Sequence, residues 1–371
     1  MTPILTKPRR LDNLADPSFV PQTGRMPHPY PIREIARQAG LSEATVDRVL
    51  NRRGGVRQST VDEVHRAIAD LHRQRSQVRL TGRTFFLDLV VDAPTRFSSA
   101  VRAALESQLP LVRPATFRAR FHLAEAPPIA DLVATLDGIA RRGSQGVVLK
   151  APDHPQVVAA VERLAEAGIP VVTLVTDLPT SRRVAYVGLD NRAAGATAAY
   201  LLDQWLPGDA AVLVTRGTGS FRGEDDREMG FRATLRQVQP GRRQVDLVDP
   251  SGDDAVLRGL VRDALAGHPD IAAVYSLYAT GGNAATVAAF ADAGRACRAF
   301  VAHDLDAENL ALLQEGRLSA VLHHDLAVDL RRACHVVMQA HGALPGGPRS
   351  WHSGVQVITP YNLPSEALTA S

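Results

Sequence analysis

From Thr84 onward the sequence keeps switching period. Short apolar runs of strand length alternate with windows in which apolar residues recur every three or four positions. "TFFLDLVVD" precedes "SAVRAALESQL", "GVVLK" precedes "HPQVVAAVERLAEAG", and "IPVVTLV" precedes "NRAAGATAAYLLDQWL". "AAVLVT", "IAAVYSL", "RAFVAH" and "LSAVLHH" are each followed by a helical window in the same way. Runs that are apolar on both faces belong inside a sheet covered on both sides, and strands joined by helices run parallel. Residues 84–371 hold too many such units for one ordinary sheet. The expectation is an α/β body of two Rossmann-like, doubly wound parallel-sheet lobes. Ligands of open parallel sheets sit outside the C-terminal strand ends, so the functional side chains are sought there.

The beginning of the chain follows a different rule. Residues 1–29 are proline-rich and aperiodic and read as a flexible tail. Residues 30–75 read as a small all-α helix-turn-helix domain. In "IREIARQAGLSEATVDRVLN", Ile32, Ile35, Ala36 and Ala39 share one helical face. Gly40 permits a tight turn, Leu41 plugs the angle, and Ser42 is a good N-cap for a second helix. Val46, Val49 and Leu50 then point inward, leaving Glu43, Ala44, Asp47 and Arg48 outward. A third helix, "QSTVDEVHRAIADLHR", closes the core through Val61, Val64, Ile68 and Leu71. Such a tri-helical unit lays its second helix in the DNA major groove, with the first side chains on base edges. Arg52, Arg53 and Arg57 would then lie beside phosphates. Charge agrees: residues 1–83 hold 15 Lys+Arg against 8 Asp+Glu, while the whole chain carries only +3. A basic head on a slightly acidic body suits a polyanionic partner. The polar residues 76–83 read as a linker or hinge, and 84–371 as the two-lobed effector-binding and dimerisation domain.

The stretch "IREIARQAGLSEATVDRVLNRRGGVRQST" resembles the DNA-binding head of the LacI/GalR family of bacterial transcription regulators. That family's pattern is approximately D-V-A-x-x-A-G-V-S-x-x-T-V-S-R-V-L-N-x-x-x-x-V-x-x-x-T. Ala36, Ala39, Gly40, Ser42, Thr45, Val46, Arg48, Val49, Leu50, Asn51, Val56 and Thr60 occupy matching positions. The resemblance implies that Ser42 and Thr45 hold phosphates, that Glu43 and Ala44 sit over base edges, and that Arg48 reads a guanine. Arg48 bidentate on a guanine would give about 1–3 kcal/mol of discrimination. Asn51 would contact a phosphate or cap the helix. Asp47 stands where the family usually has Ser, so it would orient Arg48 or accept from a cytosine instead. Pro31 replaces a usual Thr. In the hinge only Arg79 and Leu80 echo the family pattern, with Leu80 as the residue to wedge into the minor groove.

The body is similar to type I periplasmic sugar-binding proteins, which implies an effector between the lobes. Strand ends alone offer Asp92, Thr95, Arg96 and Phe97, then Lys150, Thr176, Asp177, Asp190 and Asn191. Further on they offer Arg222, Arg227, Tyr278, Thr280, Asn283, Asp304, His323 and His324. Carboxylates and Arg bind vicinal hydroxyls bidentately, and Phe97 or Tyr278 could cover the apolar face of a sugar ring. By the family pattern, Arg227 before Gly230–Phe231 matches a ligand-holding Arg, and Asp304 matches the Asp of "GFD"-like motifs. Asp177 matches the acid after the fourth strand, and His323 falls near a usual Gln. Lys150, Arg222 and Arg227 could equally accept a sugar acid or a phosphate.

Several classes are set aside. No apolar run reaches membrane-span length, and "MTPILTKPRRLDNLADPSF" lacks the apolar core of a secretory signal. Two cysteines, Cys297 and Cys334, suit a reducing cytoplasm rather than a disulfide framework. His303, Asp304, His323, His324 and Asp325 include suitable metal ligands but not a short-range ligand motif. "TRGTGSFRG" lacks the third glycine spacing of a dinucleotide loop. No nucleophile, cofactor or metal arrangement points to an enzyme. The expectation is a cytoplasmic, cofactor-free, ligand-responsive repressor of carbohydrate uptake or catabolism genes. It would act as a homodimer on a palindromic operator, its effector a sugar, polyol or sugar acid. A solute-binding receptor or a sugar-processing enzyme on the same two lobes is the alternative.

Overall fold

The computed structural model describes residues 29–80, 83–219, 221–277 and 282–364, apart from the side chains of residues 73 and 75–80. The expected tail therefore lies almost wholly outside the described residues, as do Tyr278 and Thr280. The chain divides into two compact units, Met1–His72 and Arg73–Ser371.

In the first unit, α1 (Ile32–Ala39) and α2 (Glu43–Leu50) are joined by a turn that needs Gly40, whose φ is 65°. A side chain there would be strained. Ser42 caps α2 by accepting from the Thr45 amide at 3.2 Å. Ile35, Ala36, Val46, Val49, Val64 and Leu71 meet in one core with Tyr30, closed by α3 (Gln58–Leu80). The third helix runs through residues 76–80 of the expected hinge, and residues 81–82 lie outside the described part.

The second unit holds two six-stranded sheets. The first has the order β11-β5-β4-β3-β1-β2, from β1 (Thr84–Asp92), β2 (Thr116–Ala124), β3 (Gly146–Lys150), β4 (Val171–Leu174), β5 (Ala185–Leu189) and β11 (Trp351–Ser353). All of its pairings are parallel; Leu89, for example, lies opposite both Phe121 and Val148. Helices α4 (Thr95–Gln108) and α12 (Leu326–Ala340) cover one face, and α5 (Ile129–Arg142) and α6 (Pro155–Glu166) the other.

The second sheet repeats the plan as β12-β10-β9-β8-β6-β7. Its strands are β6 (Ala211–Gly217), β7 (Gln244–Asp249), β8 (Ile271–Ser276), β9 (Ala299–His303), β10 (Ala320–His323) and β12 (Gln356–Ile358). Here the last strand pairs antiparallel. Helices α7 (Asn191–Trp205) and α8 (Arg222–Val238) pack on one face. Helices α9 (Asp254–Gly267), α10 (Asn283–Asp292) and α11 (Ala307–Gln314) cover the other.

The chain passes between the lobes three times, at Asp190, at His324–Asp325 and at Gly354–Val355. These passages are tied together. The Asp190 amide donates to the Ser353 carbonyl at 3.3 Å, and buried Asp329 accepts from His324 Nδ1 at 2.6 Å and from Ser353 Oγ at 3.3 Å.

Candidate functional site

The recognition face of the first unit follows from the cap. With Ser42 at the N-cap, Glu43 and Ala44 occupy the first helical turn, and both are exposed, as is Arg48 one turn on. The Ser42 and Thr45 hydroxyls lie 2.8 Å apart on the same rim. Asn51 is the C-cap, its side-chain amide donating to the Asp47 carbonyl at 3.0 Å and to Asp47 Oδ1 at 2.8 Å. Asp47 Oδ2 accepts from Arg53 Nη1 at 2.9 Å. Arg52 takes a left-handed φ of 51°, which turns the chain back and returns the Arg53 amide to the Arg48 carbonyl at 2.8 Å. Arg57 is exposed; the Leu80 side chain lies outside what the structure describes.

In the second unit the strand ends of both lobes line a cavity of about 490 Å³. From the first lobe come Asp92, Phe97, Glu125, Lys150, His154 and Thr176; from the second come Phe221, Glu224, Arg227, Asp249 and Asp304. Arg227 is held rigidly because α7 and α8 touch backbone to backbone. A Cβ on Gly195 would come 1.9 Å from the Arg227 carbonyl oxygen, and one on Gly230 would come 2.0 Å from that of Arg192. This contact brings Asn191 Oδ1 to Arg227 Nε at 2.8 Å, and Arg227 Nη1 donates to the Leu277 carbonyl at 2.8 Å. Arg227 is thus buried and hydrogen-bonded before any ligand arrives.

Lys150 extends β3 into the same cavity. Its ammonium donates to the Asp92 carbonyl at 2.9 Å and lies 4.0 Å from the Phe221 ring centre and 5.6 Å from that of Phe97. Loss of water pulls its pKa down to about 8, against the attraction of Glu224 and Asp92. The same desolvation pushes the Glu224 carboxyl up to about 7, opposed by Lys150 and Arg227. Asp92 is also raised by burial, while its Oδ1 accepts from the Ala126 amide at 3.0 Å. Asp304 sits at a left-handed φ of 62°, a costly conformation that recurs at binding sites. Asn309 Nδ2 pins its carbonyl at 2.7 Å, and His324 Nε2 lies 3.8 Å from its carboxylate. His303 donates to or accepts from Tyr275 Oη at 2.9 Å, and burial drives its pKa well below the usual histidine range.

Nine expected residues do not line this cavity: Thr95 donates to Glu125 Oε2 at 3.1 Å, Asn191 and His324 hold Arg227 and Asp329, and six more lie elsewhere. Arg96 pairs with Asp306 at 3.3 Å and Glu308 at 3.6 Å, joining the first lobe to the second. Asp177 is consumed inside its own lobe by Nε and Nη2 of Arg183 and by Thr173 Oγ1 at 2.7 Å. Asp190 caps α7 through the Ala193 amide, and Arg222 pairs with Asp226 at 3.3 Å. These last three residues border a separate cavity of about 260 Å³. Asn283 donates to Asn309 Oδ1 at 2.7 Å, and His323 accepts from the Leu305 amide at 3.3 Å. Conversely, the sequence reading missed Glu125, His154, Phe221, Glu224 and Asp249. Glu125 and Asp249 close the edge strands β2 and β7, whose polar alternation hid them. Glu224 lies only three residues before Arg227, on the same helix.

A helix-turn-helix head with an exposed recognition face and a two-lobed body with its polar groups at the strand ends define a DNA-binding protein of ligand-sensing architecture. The model of the bacterial regulatory proteins, lacI family, matches residues 31–73, and that of the periplasmic binding protein domain matches residues 121–341. The chain belongs to the lacI family of bacterial regulators and carries that binding domain as its body. A search of curated proteins finds no match. Among solved structures, the body is similar to GanP, a glucose-galactose binding protein from Geobacillus stearothermophilus. The identity is 22%, over 76% of this chain and 99% of that one, with a TM-score of 0.67. A solute-binding protein of an ABC transporter from Burkholderia graminis, in complex with D-arabinose, gives 21% over 77% and 98%, with a TM-score of 0.68. A Bacteroides fragilis protein described as a LacI transcriptional regulator gives 17% over 76% and 98%, with a TM-score of 0.67.

Proposed function

We propose that this chain is a sequence-specific transcription repressor of carbohydrate genes that acts in the cytoplasm as a homodimer on a palindromic operator. Its effector is an uncharged sugar or polyol bound between the lobes. The observation that carries the reading is the pairing, on one chain, of the exposed Glu43, Ala44 and Arg48 face with a cavity rich in carboxylates. A single head neutralises few phosphates, and two heads on a palindrome combine their binding.

The cavity chemistry favours hydroxyl donors over anions. Arg227 is already engaged by Asn191 and Leu277, and Lys150 by the Asp92 carbonyl and Phe221. Asp92, Glu125, Glu224, Asp249 and Asp304 outnumber these two cations. A sugar acid or sugar phosphate would meet net repulsion there. Solved neighbours whose names specify glucose, galactose or D-arabinose support the carbohydrate class.

Control follows from the contacts that join the lobes. Arg96 with Asp306 and Glu308, and the Gly223 amide on Thr176 Oγ1 at 3.0 Å, form only when the lobes are close. An effector shifts the protein toward that state in proportion to its preference for it. Two measurements test the reading. Duplexes enriched from a random pool by the wild-type chain should lose their advantage with Arg48→Ala, whereas Arg57→Ala should weaken all sequences alike. Calorimetry with neutral sugars, polyols and the matching sugar acids should show heat for the neutral set alone, abolished by Asp304→Ala; tighter binding of the acids would reject the effector class.

A further inference from the structure

The recognition helix carries a carboxylate, Asp47, where the family resemblance implies a backbone contact. Asp47 follows Glu43 by one turn, so two acids share the outward stripe of α2. Both oxygens of Asp47 are engaged by groups expected to serve DNA: Oδ1 by the Asn51 amide at 2.8 Å and Oδ2 by the Arg53 guanidinium at 2.9 Å. The left-handed turn at Arg52 brings Arg53 back beside it. A phosphate approaching Asn51 and Arg53 must therefore displace a carboxylate or sit beside one. Backbone affinity scales with the number of phosphates a protein neutralises, and a like charge at the interface counts against it.

We propose that Asp47 restrains backbone affinity by clamping Asn51 and Arg53 to the recognition helix. Phosphate contacts alone then hold the head weakly on any duplex, and base contacts and the second head decide occupancy. This rests on the DNA-binding reading of the head.

The test uses the full chain with a random-sequence duplex and with a duplex enriched from a random pool by the wild type. Asp47→Asn keeps the shape and removes the charge. Affinity for both duplexes should rise about tenfold at moderate salt, and the slope of log K against log salt should steepen by about one. In an Arg53→Ala background that gain should largely vanish. Asp47→Ser, which removes the reach as well as the charge, should behave like Asp47→Asn. A change confined to the enriched duplex would make Asp47 a base reader and overturn the clamp. So would weaker binding to both duplexes, or an undiminished gain in the Arg53→Ala background. Failure of the wild type to bind either duplex would instead remove the DNA reading, and the clamp with it.

Discussion

In the second lobe, Arg227 enters the cavity with its guanidinium fixed by Asn191 and Leu277, behind a helix pair that touches at Gly195 and Gly230. In the first lobe, Lys150 enters with one carbonyl partner and two aromatic faces, and with a pKa drawn down to about 8. The strand orders are alike, yet one cation is locked by a helix pair and two hydrogen bonds, and the other is held by a single carbonyl and two ring faces. A fold therefore specifies where a polar group emerges, and the local hydrogen bonds decide whether it supports structure or waits for ligand.

The sharpest way to break this contrast is at the helix contact. Gly230→Ala puts a methyl 2.0 Å from a backbone oxygen that cannot rotate away. Thermal or denaturant unfolding should show a loss of about 3 kcal/mol. Next is Arg227→Met, which orphans a buried amide oxygen and a carbonyl; it should cost about 2–3 kcal/mol in stability and abolish sugar binding. Lys150→Met should separate the lobes: stability unchanged or raised by about 1 kcal/mol, because a desolvated charge is gone, with effector affinity lost. Equal destabilisation by the two substitutions would erase the distinction.

A smaller effect concerns pH. The Glu224 carboxyl, raised from 4.5 to about 7, binds its proton more tightly in the folded chain. Its contribution is therefore complete below pH 4.5 and is lost as pH climbs through about 7. Glu224→Gln should lack that slope, so its melting temperature should gain on the wild type between pH 5 and 7. Smallest of all, Arg96→Gln breaks a partly exposed pair between the lobes. It should change stability by less than about 1 kcal/mol while reducing effector affinity severalfold in calorimetry.

The sequence made the two-lobed plan legible because central strands such as β1 and β8 are apolar on both faces. It also showed the head, since the spacing of Ile35, Gly40, Ser42 and Val49 leaves little choice. The edge strands escaped. In β2, "TFRARFHLA", and β7, "QVDLVD", polar residues alternate because one face and one edge meet solvent. Missing them cost the reading Glu125, which follows β2 into the cavity, and Asp249, which ends β7 there. Arg227 and Asp304 came from the strand ends and were singled out by the family pattern. Asp177 was misplaced because a strand-end position does not reveal Arg183, which reaches it six residues later.

The three passages between the lobes have a consequence for synthesis. Helix α12 supplies Leu330, Ala333, Cys334, Val337 and Met338 to the core of the first lobe, although it is translated after most of the second. On the ribosome the earlier lobe must wait, with one sheet face uncovered, until its missing helix emerges. The small head, whose core is complete by Leu71, has no such delay. A nascent regulator can thus own a folded DNA-reading head well before it owns a finished sensor.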